Sequence, residues 1–137
     1  MFDIVNQTWS SGPEMNFERD DHSCMADEET STIHVLGGYN GRNGALKSSE
    51  KWTLGTDSWV SSTSLPENIY RSAAVLSNSD EYIGYLAGGW ADGVITSKVW
   101  ALRKRDMNWK EIASKTFNIP RRSHALVNIP VDQVPGC

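Results

Sequence analysis

The sequence predicts an all-β chain assembled from copies of one four-stranded antiparallel unit, and three observations predict it. Trp9, Trp59 and Trp109 stand at a constant spacing of 50 residues. The pair Gly37-Gly38 recurs as Gly88-Gly89, with a step of 51. Between these landmarks the apolar residues fall in short runs bounded by turn residues, and no stretch carries helical periodicity. Two unrelated landmarks in phase mean that a unit of about fifty residues is copied along the chain, a period that belongs to propeller blades or solenoid turns. Six Trp, four Tyr and three Phe in 137 residues agree with this, because large flat side chains pack well on a pleated surface.

Each strand of the unit can be justified in order. The first is short and carries small residues: Asp20-Asp21-His22-Ser23-Cys24 aligns with Arg71-Ser72-Ala73-Ala74-Val75 and with Arg122-Ser123-His124-Ala125-Leu126. Small side chains suit an innermost strand, where space near a central axis is scarce. The second is an apolar run ended by glycines, Thr32 to Gly38 over Ile83 to Gly89, which reads as a buried strand with a tight exit. The third matches Lys47–Trp52 with Ser97–Leu102. Polar connectors follow, Thr56-Asp57-Ser58 and Asp106-Met107-Asn108, and lead into the fourth strand at Trp59-Val60-Ser61 and at Trp109 to Ile112. Four antiparallel strands in this length make a propeller blade. A β-helix coil or leucine-rich turn would be about half as long, and an ankyrin or tetratricopeptide unit would show amphipathic helices.

The order of landmarks resembles the kelch repeat: a basic residue, Ser, then His or Ala, an apolar run, Gly-Gly, an aromatic (Tyr39, Trp90), and a Trp some twenty residues later. The resemblance runs from Met1 to about Asn128, with two full copies in phase and partial copies at the flanks. Phe2-Asp3 followed by Trp9 looks like the third and fourth strands of a preceding blade, with Phe2-Asp3 where the family often has Tyr-Asp. In the full copies that Tyr-Asp is replaced by Trp52-Thr53 and Trp100-Ala101, and His34 stands where the family often has Tyr. The resemblance implies a kelch-type β-propeller fragment. It divides into residues 1–17, the end of a preceding blade; 18–64, a first full blade; 65–116, a second; and 117–137, the first strand of a following blade and a coil tail. Propellers close with about 4–8 blades. The chain is therefore expected to be part of a longer protein, or to complete its ring with other copies.

Composition narrows the function classes. A net charge of −4 and a pI near 5.3 argue against nucleic acid, since phosphate binding needs a basic stripe. No stretch approaches the roughly 20 apolar residues of a membrane span. Met1 to Asn6 carry an acid and no basic region, unlike a secretory signal. Cys24 and Cys137 could pair only if the tail folds back onto the first full repeat, and Asn6-Gln7-Thr8 fits the glycosylation sequon. These residues leave the cytoplasm and the cell exterior both open, the first slightly favoured.

His22 and Cys24 would share a strand face behind Asp20 and Asp21, yet a closed zinc site wants four ligands and His34 is the one other candidate nearby, so no metal is expected. No Gly-x-Ser-x-Gly elbow or catalytic Cys context exists, and the His residues fall at repeat positions. Kelch-type propellers include a copper oxidase with a Tyr–Cys crosslink, but no spacing here supports it. Neither catalysis nor a cofactor is therefore expected. Trp9, Trp59 and Trp109 are expected to pack between blades. The resemblance places the loops after the double glycines and those leading into the first strands on one face. Tyr39, Asn40, Arg42, Asn43, Trp90 and Asp92 would share that rim with Asp20, Arg71 and Arg122. Exposed aromatics and Arg are the types enriched in binding hot spots. The expected function is a protein–protein interaction module, an adaptor or scaffold, whose partner carries a short acidic motif suited to Arg71, Arg122 and Arg42. The alternative is an extracellular propeller with a carbohydrate-binding or enzymatic role.

Overall fold

A computed structural model describes residues 1–129; Cys137 and the rest of the tail, with the expectations of a coil and of a Cys24–Cys137 pairing, lie outside the described residues. The chain is all-β and antiparallel throughout. A two-stranded hairpin, β1 (Phe2–Asp3) and β2 (Thr8–Trp9), comes first. The first four-stranded sheet takes β3 (Ser23–Asp27) and β4 (Thr32–Leu36), which continue past a small hairpin, β5 (Tyr39–Asn40) and β6 (Gly44–Ala45). It is completed by β7 (Ser49–Thr53) and β8 (Val60–Ser62), in the order β3-β4-β7-β8.

The second half repeats this arrangement. A short β9 (Ile69–Tyr70) leads into β10 (Ala73–Leu76) and β11 (Tyr82–Ala87). A hairpin of β12 (Trp90–Ala91) and β13 (Val94–Ile95) follows, then β14 (Val99–Arg103) and β15 (Trp109–Glu111). The second sheet has the order β10-β11-β14-β15, and β9 pairs with β12 beside it. The two small hairpins replace what the sequence reads as loops. In the second, Asp92 and Gly93 both have positive φ (48° and 82°), the conformation that a two-residue hairpin matching strand twist demands.

The two sheets meet along β3 and β10. Alternation along each strand sends Met25 and Leu36 of the first sheet, and Leu86, Trp100 and Leu102 of the second, into the space between them. Leu65 and Ile69, on the link joining the sheets, complete this core, with Ala91. Burying each such aliphatic side chain stabilises the fold by about 1.5–3 kcal/mol. At one edge of the core the Ser23 and Ser72 hydroxyls meet at 2.7 Å, so neither is buried without a partner.

The repeating tryptophans follow two different fates. Trp59 donates its indole N–H to the Pro13 carbonyl (3.0 Å) and Trp109 to the Thr63 carbonyl (3.3 Å). Each ring thus braces the segment that leads into its own sheet. Trp9 departs from the expectation of packing between units: it is 79% exposed and meets Phe2 at 5.1 Å. Its hairpin has two strands, and among the described residues no further strand pairs with it to cover the ring. Trp52 and Trp100 are not counterparts either. Trp52 pairs across from Ile33, whereas Trp100 pairs across from Leu86, the place that Glu50 holds opposite Val35.

Candidate interaction face

The double glycines build this face. Gly37 and Gly38 have φ of 60° and 104°, and Gly88 and Gly89 repeat these angles at 61° and 106°. Such values favour glycine, and close approach demands it as well. A Cβ on Gly37 would strike the Ile69 carbonyl, and one on Gly88 would lie 2.5 Å from the Arg121 carbonyl. The second glycine of each pair meets its own lead-in segment, Asp20 at Gly38 and Tyr70 at Gly89. The amide of Gly38 donates to Ile69 (2.8 Å) and that of Gly89 to Arg121 (2.8 Å). Each turn therefore holds the segment that leads into the next unit.

Those segments interlock in a second way. Asp21, Arg71 and Ser123 all adopt positive φ, at 48°, 56° and 54°. The Arg71 amide donates to the Asp21 carbonyl and the Ser123 amide to the Arg71 carbonyl, both at 2.8 Å. Asp20 bridges Tyr39 as Tyr70 pairs with Trp90. The equivalent residues are thus Asp21, Arg71 and Ser123, whereas the sequence alignment sets Asp20, Arg71 and Arg122 at one position.

On this frame a row of side chains runs from one unit to the next. The Tyr39 and Tyr70 rings lie 5.4 Å apart, and Tyr70 and Trp90 6.4 Å. The Arg122 guanidinium sits 5.1 Å over Trp90, and Arg71 sits 5.6 Å over Tyr70. Arg71 is not free to meet an anion, since its Nε donates to Asp21 Oδ2 at 2.8 Å. Arg122 is exposed and forms no ion pair among the described residues, and its guanidinium lies over the indole.

Of the nine residues expected on this rim, Tyr39, Arg71, Trp90 and Arg122 fall in the row, and Asp20 bridges Tyr39. Arg42, Asn43 and Asp92 are exposed in the turns of the two hairpins. Asn40 is occupied locally: its Oδ1 accepts from the Arg42 and Asn43 amides, and its Nδ2 donates to the Glu18 carbonyl at 2.6 Å. Two members were missed. Tyr70 is the ring that makes the row continuous, and Asp21 neutralises Arg71. Alignment on the glycines shifts the lead-in segment by one, which hides Tyr70 behind Arg71.

Burial, then the charge of Arg121, pushes His124 below the ordinary histidine value. Its ring stands edge-on to Phe117 at 5.3 Å. His22 and Cys24 are exposed, and no group of three or more His, Cys, Asp or Glu among the described residues could hold a metal ion. Searched against known protein families the chain matches no family model, and searched against curated proteins it matches none.

Proposed function

We propose that this chain is a segment of a kelch-type β-propeller that binds a partner protein through its loop face, as an adaptor or scaffold. The propeller reading is supported by two sheets with the same strand order, joined along their first strands and locked by the hydrogen bonds from Asp21 through Arg71 to Ser123. The remaining blades come from a longer chain or another copy. The observation that carries the binding reading is the row Tyr39–Tyr70–Trp90 ending in the stacked guanidinium of Arg122. Rigid aromatics offer contact area at small entropic cost, and a pre-oriented guanidinium suits a carboxylate bidentately. The partner is a protein with a short acidic motif, engaged by Arg122 and by Arg42 of the first sheet's hairpin, while Arg71 serves the frame.

The test is partner capture with the full chain and its Arg122→Glu variant, followed by mass spectrometry. Arg122 lies outside the core, so circular dichroism is expected to be unchanged while the captured partner falls by about tenfold or more, the scale of a lost charge-assisted pair. An identical set of partners for both proteins would remove the proposal.

A further inference from the structure

At the other end of the strands from the loop face, the two sheets diverge around a cavity of ≈ 970 Å³. That is at the upper end of the roughly 300–1,000 Å³ of small-ligand sites. His34 lines it, is only 7% exposed, and has no hydrogen-bond partner among the described residues. Lys51 is its cross-strand neighbour on the same sheet face, so an imidazole and an ammonium stand side by side at the inner end. The turns at the mouth supply Glu28 and Glu29 from one sheet and Asp80 from the other, all exposed. Lys104 stands with them, leaving the rim net negative. None of these five charged side chains forms an ion pair with a described residue, and Asp27, the sixth charged residue of the lining, spends its carboxylate on the Glu29 and Thr30 amides and the Thr30 hydroxyl. Ile83 and Met107 add apolar side chains to the lining.

Carboxylates in excess at the mouth, with an unpaired Lys51 and a buried imidazole lacking a partner at the floor, call for a ligand that carries both signs. We infer that this cavity binds a small zwitterion with an apolar body, an amino acid or a short peptide. Its carboxylate meets His34 and Lys51, its ammonium meets Glu28, Glu29 and Asp80, and its apolar part lies along Ile83 and Met107. A simple anion would leave the rim carboxylates unanswered, and a simple cation would face Lys51. This site is independent of the loop face, and the two can fail separately.

The test is a nuclear magnetic resonance titration of the whole chain, following the His34 ring resonances. The probes are Gly-Gly-Leu, its N-acetylated form, its C-terminal amide, and free leucine. Saturable movement with the free tripeptide, weakened about tenfold or more by either block, is the expected result. Leucine binding as tightly as the tripeptide assigns the site to amino acids; weaker leucine binding assigns it to peptides. In the Glu28→Gln with Glu29→Gln variant, whose changes are solvent-exposed, the free tripeptide should weaken while its acetylated form does not. Failure of both leucine and tripeptide to move His34, or equal binding of the blocked peptides, would overturn the inference.

Discussion

The two four-stranded sheets share a backbone plan and fill its tightest corner with opposite chemistry. In the first, Arg19 and Glu50 form an ion pair at 2.6 Å with side chains 0% and 1% exposed. Glu50 also accepts from the Asn16 amide, the Asn16 side chain and the Phe17 amide, and Arg19 donates to the Gly37 and Ser48 carbonyls. In the second sheet the place of Arg19 belongs to Ile69 and that of Glu50 to Trp100, both buried. Three residues before Ile69 stands Pro66, which has no N–H, where Asn16 needs an acceptor. Each sheet is internally consistent. The corner tolerates a hydrogen-bonded ion pair, with Arg19 Nε left without a partner among the described residues, or an apolar pair, and what it forbids is half of either.

That comparison can be broken most directly at Glu50. Glu50→Ala leaves the Arg19 guanidinium buried without its carboxylate and two backbone amides without an acceptor. A loss of about 3–5 kcal/mol is expected in urea denaturation. Transplanting the second sheet's solution, Asn16→Pro with Arg19→Ile and Glu50→Trp, should recover most of it, because well-packed apolar groups often replace a buried ion pair at no net cost. If the triple variant is as unstable as the single one, the two corners are not equivalent and the comparison fails.

How much of this was legible beforehand depends on where each signal lives. The strands are local, so the periodic Trp and Gly-Gly landmarks placed the eight strands of the two four-stranded sheets correctly in kind. Arg122 to Asn128, expected as the first strand of a following unit, instead pairs with no strand among the described residues. Equivalence between the copies was harder. The turn from β3 to β4 holds four residues and the turn from β10 to β11 holds five, so alignment on the glycines misplaces everything upstream by one. The ion pair was invisible for another reason. Arg19 lies in the polar string Phe17-Glu18-Arg19-Asp20-Asp21, which reads as solvated, and its partner is 31 residues away. Trp9 misled in the opposite direction, since periodicity announces a unit whether or not that unit's covering strands are present. At the interaction face, residue type identified Tyr39, Trp90 and Arg122. Only folding could show that Arg71 is spent on Asp21.

A second contrast should yield equality. Gly37→Ala and Gly88→Ala each put a Cβ against a neighbouring carbonyl at φ near 60°. Left-handed strain alone costs about 1–2 kcal/mol, and the contact adds to it. Both variants should lower the melting temperature by similar amounts. A harmless Gly88→Ala beside a damaging Gly37→Ala would mean that the segment at Arg121 is held less firmly than the one at Ile69.

His34 and Tyr85 occupy equivalent positions, so pH separates the sheets. Burial, then the charge of Lys51, holds His34 below the ordinary value of 6.5, with Asp27 opposing. The unfolded chain therefore binds the proton more readily than the folded one. His34 contributes stability that is complete above 6.5 and is lost as pH falls from there toward the lower folded value. Denaturation midpoints should fall with acidification, and His34→Tyr should flatten that dependence. His22 and His124 are shifted the same way, so the difference between variant and parent is the quantity to read.

The smallest effect is expected where the sheets meet on the surface. Arg71 and Asp21 pair at 2.8 Å, but both side chains are more than a third exposed, so solvent screens them. Arg71→Ala should cost no more than about 1 kcal/mol, and less as salt is raised. Arg71 also holds φ at 56°, a conformation costing an ordinary residue about 1–2 kcal/mol and glycine little. Arg71→Gly removes the pair and this strain together. It should be at least as stable as Arg71→Ala, and close to the parent. The lock between the sheets would then rest on the backbone bonds from Arg71 to Asp21 and from Ser123 to Arg71, which both variants keep. If Arg71→Gly is the weaker of the two, the side-chain pair or its stacking on Tyr70 holds the lead-in segment, and the backbone bonds do not suffice.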